Sequence, residues 1–428
     1  MTVSTFITFL MFYPRSIEET ITGVDAIRVL RGVALIAIAG IGGLVSLARF
    51  DIGWLRVLVR GPMGWYVLYA SWAFLSVSFS GDPFLSAAKV FELAVSIFVV
   101  ALSAHWSRTS AELDRFWILN MCGIGVVLSG YVVVSVALAM PLISFVDGFP
   151  KYSGFGGGPG GANGMSQISA MLALFGISRG MSARSPEQKL GYWALTGIAG
   201  LALVLSYSRT SLVIFALLFA LLLVKSRRYV GLILAGGLAI AGALAFGPQL
   251  FQFILRGQNT EVFLSLTGRI DYLWVAGLAV WAGSPWIGHG YYYATTYLLP
   301  LALVDGYDVT LSNVDNTFLE VAMNLGVVGL LIFMGVWASV GRRMWALFHR
   351  RPDAWRIPMV REASLLIIAT FIRSWVNPTI AYHHWNTFLF LTAALIVTRA
   401  AGIPVAERAA LTAVQGSSDT CTPAPPSI

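Results

Sequence analysis

Apolar residues return along this chain in long runs, each interrupted by a short polar or basic stretch. Read with the length rule for a bilayer crossing, the runs predict helices near 2–14, 29–48, 62–79, 84–103, 118–143, 161–178, 190–207, 209–224, 229–247, 316–339, 362–380 and 384–399. The expected fold is all-α, a polytopic transmembrane helical bundle of about 12 spans. The first run is short for a crossing of about 20 residues, so eleven spans is an open alternative. One single integral membrane domain is expected over 1–410, with 411–428, rich in Ser, Thr and Pro, as a disordered cytoplasmic tail.

Composition supports that reading. Of 428 residues 57% are hydrophobic and only 11% charged, with a mean hydropathy of +0.77, whereas a soluble domain carries about 25% charged residues. The net charge of +8 comes from short basic clusters between apolar runs, with no base-reading motif, so nucleic acid is not an expected partner. Two cysteines, Cys122 and Cys421, make neither a zinc site nor a disulfide scaffold. The apolar N-terminal run lacks a basic leader and a small-residue cleavage site, so a retained segment is expected there.

With both ends in the cytoplasm, 19 of the 28 Lys and Arg residues fall on one side, among them Arg179, Arg342, Arg343, Arg350 and Arg361; this is the positive-inside pattern. The assignment leaves one large extracytoplasmic loop at about 248–315, and long loops without their own structure are commonly functional. The alternative is that 270–283 crosses the membrane and 291–304 returns. A glycine-rich turn, GFGGGPGGANG at 154–164, lies on the same outer side.

Polar residues beside apolar helices are costly, so they are informative. In SYSRTS, Arg209 stands at the mouth of an apolar helix, either snorkelling to headgroups or offering its planar fork to a phosphate. Arg269 follows Thr267-Gly268 at the start of an amphipathic stretch; two arginines meeting one outward cleft would clamp an anion. Asp315 and Asn316 sit where a long helix begins and are natural caps. Glu320 and Asn324, four apart, share a face that must point into the bundle, and Gly326 and Gly329 form a small-residue pair suited to close helix packing. Arg373, Asn377, His383, His384 and Asn386 lie near the same outer surface, around a helix-ending Pro378. His289, between two glycines, belongs to the outer loop.

Taken in order, WAFLSVSFSGDPFLSAAKV (72–90), GGPGGANGMSQISAML (157–172), SYSRTSLVIFALLFALL (206–222), LTGRIDYLWVAGLAVWAGSPWIGHGYY (266–292) and VDNTFLEVAMNLGVVGLLIF (314–333) resemble the motifs of the bacterial O-antigen ligase and polymerase superfamily. The resemblance covers roughly 70–335. It matches Asn163 to the family's asparagine and Arg209 to its key arginine. One departure stands out: ligases commonly carry His before the Asn of the last motif, and this chain has Asp315. That favours a polymerase over a ligase.

The resemblance implies an undecaprenyl-diphosphate-linked glycan as donor, an acceptor hydroxyl at the outer face of the plasma membrane, and no cofactor. Polymerisation of lipid-linked repeat units is the expected reaction; attachment of a glycan to a lipid or protein acceptor is the alternative, and an exporter or a structural scaffold the readings from other classes. Arg209 and Arg269 are the expected diphosphate ligands, and Asp315 the expected base. Asn316, Glu320, His289, Arg373, His383, His384 and Asn163 are expected around the acceptor, with His383 or His384 as the alternative base. Asp305, Asp308 and Asp315 are too scattered for a compact metal motif, so no metal is expected. Membrane lipids, a flippase and a chain-length partner complete the expected associations.

Overall fold

The computed structural model describes residues 52–107, 109–137, 143–146, 149–152, 162–206, 208–237, 269–302, 313–382 and 385–402, with a few positions between 36 and 48 and at 241 and 245. The helices used below are α1 (Gly61–Leu75), α2 (Pro83–Trp106), α3 (Ser110–Ala137), α4 (Ala162–Gly180), α5 (Pro186–Leu205), α6 (Arg209–Lys225), α7 (Val275–Ala282), α8 (Thr317–Arg350), α9 (Pro358–Ser374) and α10 (Trp385–Gly402). Among the described residues one antiparallel strand pair accompanies them, β1 (Ile143–Val146) with β2 (Phe149–Tyr152), Ile143 opposite Tyr152.

The expected bundle of about 12 spans is overturned. Among the described residues three helices, α2, α5 and α8, are long and apolar enough to cross a membrane. The reason is that an apolar run reports avoidance of water, not helix length. Helix α1 stops after 15 residues at a 3-10 turn, Ser76–Phe79, and α6 and α9 have 17 each, about 26 Å against a hydrocarbon core of about 30 Å. Much of the apolar surface of α9 and α10 is covered by neighbouring helices. The run expected at 118–143 starts earlier, carries Glu112, Asp114 and Arg115, and gives way to the strand pair. Run 2–14 lies outside the described residues, as do most of the 248–315 loop and the 411–428 tail.

Starts are set by capping chemistry. Asp82 accepts from the Leu85 N–H ahead of Pro83 at the head of α2, and Ser185 accepts from Gln188 N–H ahead of Pro186 at the head of α5; proline loses nothing at a first turn whose N–H has no helical acceptor. Between α9 and α10 the chain is not helical from Trp375 to Tyr382. That stretch is nonetheless largely buried, and side chains satisfy its carbonyls: Tyr66 Oη donates to Ile380 O, Tyr69 Oη to Ala381 O at 2.8 Å, Tyr291 Oη to the same oxygen at 3.1 Å, and Thr317 Oγ1 to Asn377 O at 2.8 Å. Irregular backbone at such depth is stable only where protein supplies its hydrogen bonds.

A buried ionic network ties α3, α4 and α9 together. Arg179 forks onto Asp114 at 2.6 and 3.0 Å and onto Glu362 at 2.9 and 3.0 Å; Trp117 Nε1 and Ser178 Oγ also donate to Glu362, at 3.0 and 2.7 Å. Arg361 closes the group by donating to Ser178 O at 2.7 Å. These arginines therefore do more than mark a topology. Removing one partner strands a buried charge, so Arg179→Met should cost about 3–5 kcal/mol in thermal unfolding of detergent-solubilised protein, and Arg179→Met/Glu362→Leu should recover most of it. Equal stability of wild type and the single variant would refute a structural role for the network.

Candidate functional site

Helix α8 is broken near its start. Gly326, at φ +67 and ψ −170, interrupts the helical backbone, so carbonyls before it and N–H groups after it lose their helical partners. A returning loop, Ser284–Gly290, fills the gap. His289 N–H donates to Met323 O at 3.2 Å and Gly290 N–H to Asn324 O at 2.9 Å, while Val327 and Val328 N–H donate to Pro285 O at 2.8 Å and Trp286 O at 3.2 Å. Trp72 Nε1, on α1, takes Leu325 O at 3.0 Å. Only glycine fits at the crossing: a Cβ on Gly326 would stand 2.2 Å from Trp286 O, and one on Gly288 2.4 Å from Asn324 O. The sequence reading of Gly326 as a helix-packing residue is thus corrected; it is the break itself.

The break aims Asn324 sideways. Its Nδ2 lies 2.8 Å from each of Thr295 Oγ1, Tyr382 Oη and Glu320 O, which share its two hydrogens, and its Oδ1 accepts from Ala294 N–H at 3.0 Å. Glu320, one turn earlier, is buried. The expected inward face of Glu320 and Asn324 is therefore present, and the Asn ties α8 to the loop.

At the head of α8, Asn316 caps the helix, its Oδ1 accepting from Phe318 and Leu319 N–H at 3.0 and 3.1 Å. Asp315 precedes it in the left-handed region at φ +48, uncommon for a residue with a side chain, though Asp and Asn tolerate it best. Its N–H donates to Asn313 Oδ1 at 2.9 Å. Because Asn316 does the capping, the Asp315 carboxylate is turned elsewhere, toward Arg269, whose Nε and NH2 donate to its Oδ2 at 3.0 and 2.9 Å. Arg269 opens a π-helical turn, Arg269–Trp274, leading into α7; such turns often occur at functional positions. Burial pushes the Asp315 carboxyl above the ordinary aspartate value, outweighing the opposing pull of Arg269 and the weaker one of Arg373.

Arg373, buried at the end of α9, donates to Ser211 Oγ at 2.7 Å, and Ser211 shares a hydrogen bond with Ser166 Oγ at 2.8 Å. Ser211 lies in the first turn of α6, the helix that Arg209 opens. The sequence reading places Ser211 in the polar SYSRTS junction around Arg209 without a role of its own and misses Ser166, whose signal is a hydroxyl near the start of an otherwise apolar helix.

The geometry thus joins Arg269 to Asp315, sets Arg373 in their field, and seats Arg373 on the turn that begins with Arg209. It does not bring His289 to them: its Nε2 lies 2.8 Å from Val280 O. Asn163 is in the first turn of α4. His383, His384, Asp305 and Asp308 lie outside the described residues.

The fold and this cluster define a multi-pass membrane protein that gathers cationic side chains and one carboxylate at the ends of its helices. Comparison with known families narrows the class: the O-antigen ligase family model matches residues 194–334. Over that segment, about a third of the chain, the sequence is similar to the O-antigen ligase and polymerase superfamily, which supports an enzymatic, glycan-handling role at the membrane. The matched segment includes Arg209, Arg269, Asp315, Asn324 and Gly326; Asn163 and Arg373 lie beyond it. No curated protein matches the chain.

Proposed function

We propose that this protein transfers a glycan from undecaprenyl diphosphate to an acceptor hydroxyl at the extracytoplasmic face of the plasma membrane, in the manner of an O-antigen ligase. The observation that carries the proposal is the Arg269–Asp315 pair within the segment that the ligase family model matches. A carboxylate held by a guanidinium is restrained as a base. When the donor diphosphate draws Arg269 and Arg209 to itself through bidentate charge-assisted bonds, Asp315 is released to act. The acceptor oxygen then forms a bond to the anomeric carbon as the carbon–oxygen bond to phosphate breaks. Asp315 takes the hydroxyl proton, and the electron pair leaves with the diphosphate, whose charge the fixed arginines stabilise. Arg373 holds the turn that presents Arg209, and apolar helix faces accommodate the polyprenyl chain among membrane lipids. A flippase would supply the donor.

The second reading, polymerisation of lipid-linked repeat units, rests on Asp315 standing where ligases commonly carry His; the family description favours the ligase. Incubating purified protein with synthetic undecaprenyl-diphosphate oligosaccharide, with and without a lipid acceptor, separates the two by mass analysis. A ligase yields one glycan per acceptor and needs the acceptor. A polymerase yields a ladder of longer glycans on the diphosphate carrier without it. Movement of intact donor across a vesicle membrane with no new linkage would refute both and leave an exporter.

A further inference from the structure

The far end of α8 carries a second polar feature that the transfer reaction does not use. Ser339, Arg342, Arg343, Ala346 and Arg350 recur at the spacing of one helix face. Opposite them, Gly61, Gly64, Trp65 and Leu68 form the matching face at the start of α1. Between the two faces lies a groove of about 860 Å³, within the range of roughly 300–1,000 Å³ that small-molecule sites occupy. Its construction is specific. Gly61 sits at φ +58, and a Cβ there would come within 3.7 Å of the Arg343 guanidinium. At the other end the Trp65 ring packs on Gly335 so closely that a Cβ would meet it at 2.4 Å.

All three arginines are exposed, and among the described residues none forms an ion pair with a carboxylate. Three guanidinium groups on one wall would repel one another without an anion between them. The opposite wall adds apolar Val59 and Leu68 and the half-exposed ring of Trp65, and Trp345, 74% exposed, projects from the same turn of α8. Arginine beside exposed tryptophan at the end of a membrane helix is the composition of the headgroup level. A free phosphate would leave the apolar wall unused, and a neutral lipid would leave the arginines unneutralised. The ligand that satisfies both walls is an amphiphile with an anionic phosphodiester head.

We infer that this groove is a binding site for an anionic phospholipid, the headgroup on Arg342, Arg343 and Arg350 and the upper acyl chain against α1. The site is independent of the proposed glycan transfer, and it draws on the preference of basic interhelical pockets for acidic lipid headgroups.

The test titrates the full-length protein in detergent with phosphatidylglycerol, phosphatidylcholine or inorganic phosphate, reading lipid adducts by native mass spectrometry and the unfolding midpoint in parallel. Phosphatidylglycerol should bind and raise the midpoint of wild type, while the other two do neither. In R342Q/R343Q/R350Q its affinity should fall about tenfold or more. Ala346→Glu, which puts a carboxylate among the arginines, should block binding without removing any of them, and so answers the question even if the triple variant folds poorly. Unchanged phosphatidylglycerol binding in Ala346→Glu, equal binding of phosphatidylcholine, or equal stabilisation by inorganic phosphate would each overturn the inference.

Discussion

Asp315→Asn is expected to slow glycan transfer about 10²-fold or more while leaving a folded protein that still binds donor. The choice of Asn is dictated by the backbone. Asp315 sits at φ +48, a region Asn tolerates and most other residues do not, and its amide oxygen can still accept from Arg269. The variant therefore isolates the loss of the proton acceptor. Arg269→Lys should keep part of the activity, since it preserves charge but loses the two-pronged donor geometry seen on Asp315 Oδ2.

The same residue predicts a pH dependence. Burial raises the Asp315 carboxyl above its ordinary value, so the ionised form needed for proton transfer is lost, on acidification, at a higher pH than for an exposed aspartate. The wild-type rate should fall through that pH, and the residual rate of Asp315→Asn should not follow it. The stability effect has the opposite sign: a raised value stabilises the fold at low pH, and that contribution disappears as pH rises through the folded-state value. Neutralising the position should therefore cost no fold stability near neutral pH through titration. A normal transfer rate in Asp315→Asn, with donor binding intact, would move the base elsewhere.

Gly326→Ala is expected to destabilise the protein by at least about 3 kcal/mol, whereas Gly341→Ala, in the same helix, should stabilise it by about 0.5–1 kcal/mol. Gly326 combines φ +67 with ψ −170, a conformation essentially confined to glycine. Its missing Cβ leaves room for the Trp286 carbonyl, which a methyl would meet at 2.2 Å. Relieving that clash pushes the Ser284–Gly290 loop away and strands the four backbone hydrogen bonds that bridge the break. Gly341 has nothing within 4 Å of its Cβ position, so alanine there only reduces the freedom of the unfolded chain. Thermal unfolding of the two variants in one detergent checks the pair. A Gly326→Ala protein as stable as wild type would show that the break is not required.

Much of the helical layout was legible without coordinates. Apolar runs marked α2, α5 and the start of α8 because burial away from water depends on composition over a window, a local property. The capping asparagine at 316 and the inward face of Glu320 and Asn324 were legible too, since both follow from spacing along one helix. Helix length was not: α1 gives way to a 3-10 turn after 15 residues and α6 and α9 stop at 17, and only packing reveals that α9 is largely covered by neighbouring helices while α6 leaves Val213 and Leu217 exposed. The pairing of Arg269 with Asp315 joins residues 46 apart in the chain, and Arg373 reaches Ser211 across 162; one sequence carries no signal for contacts at that separation. Gly326 makes the contrast clearest. As a letter it is a small residue on an apolar helix, equally suited to close packing or to a break. The decision between them rests on a loop some forty residues earlier folding back to supply hydrogen-bond partners for backbone groups that would otherwise be buried without any.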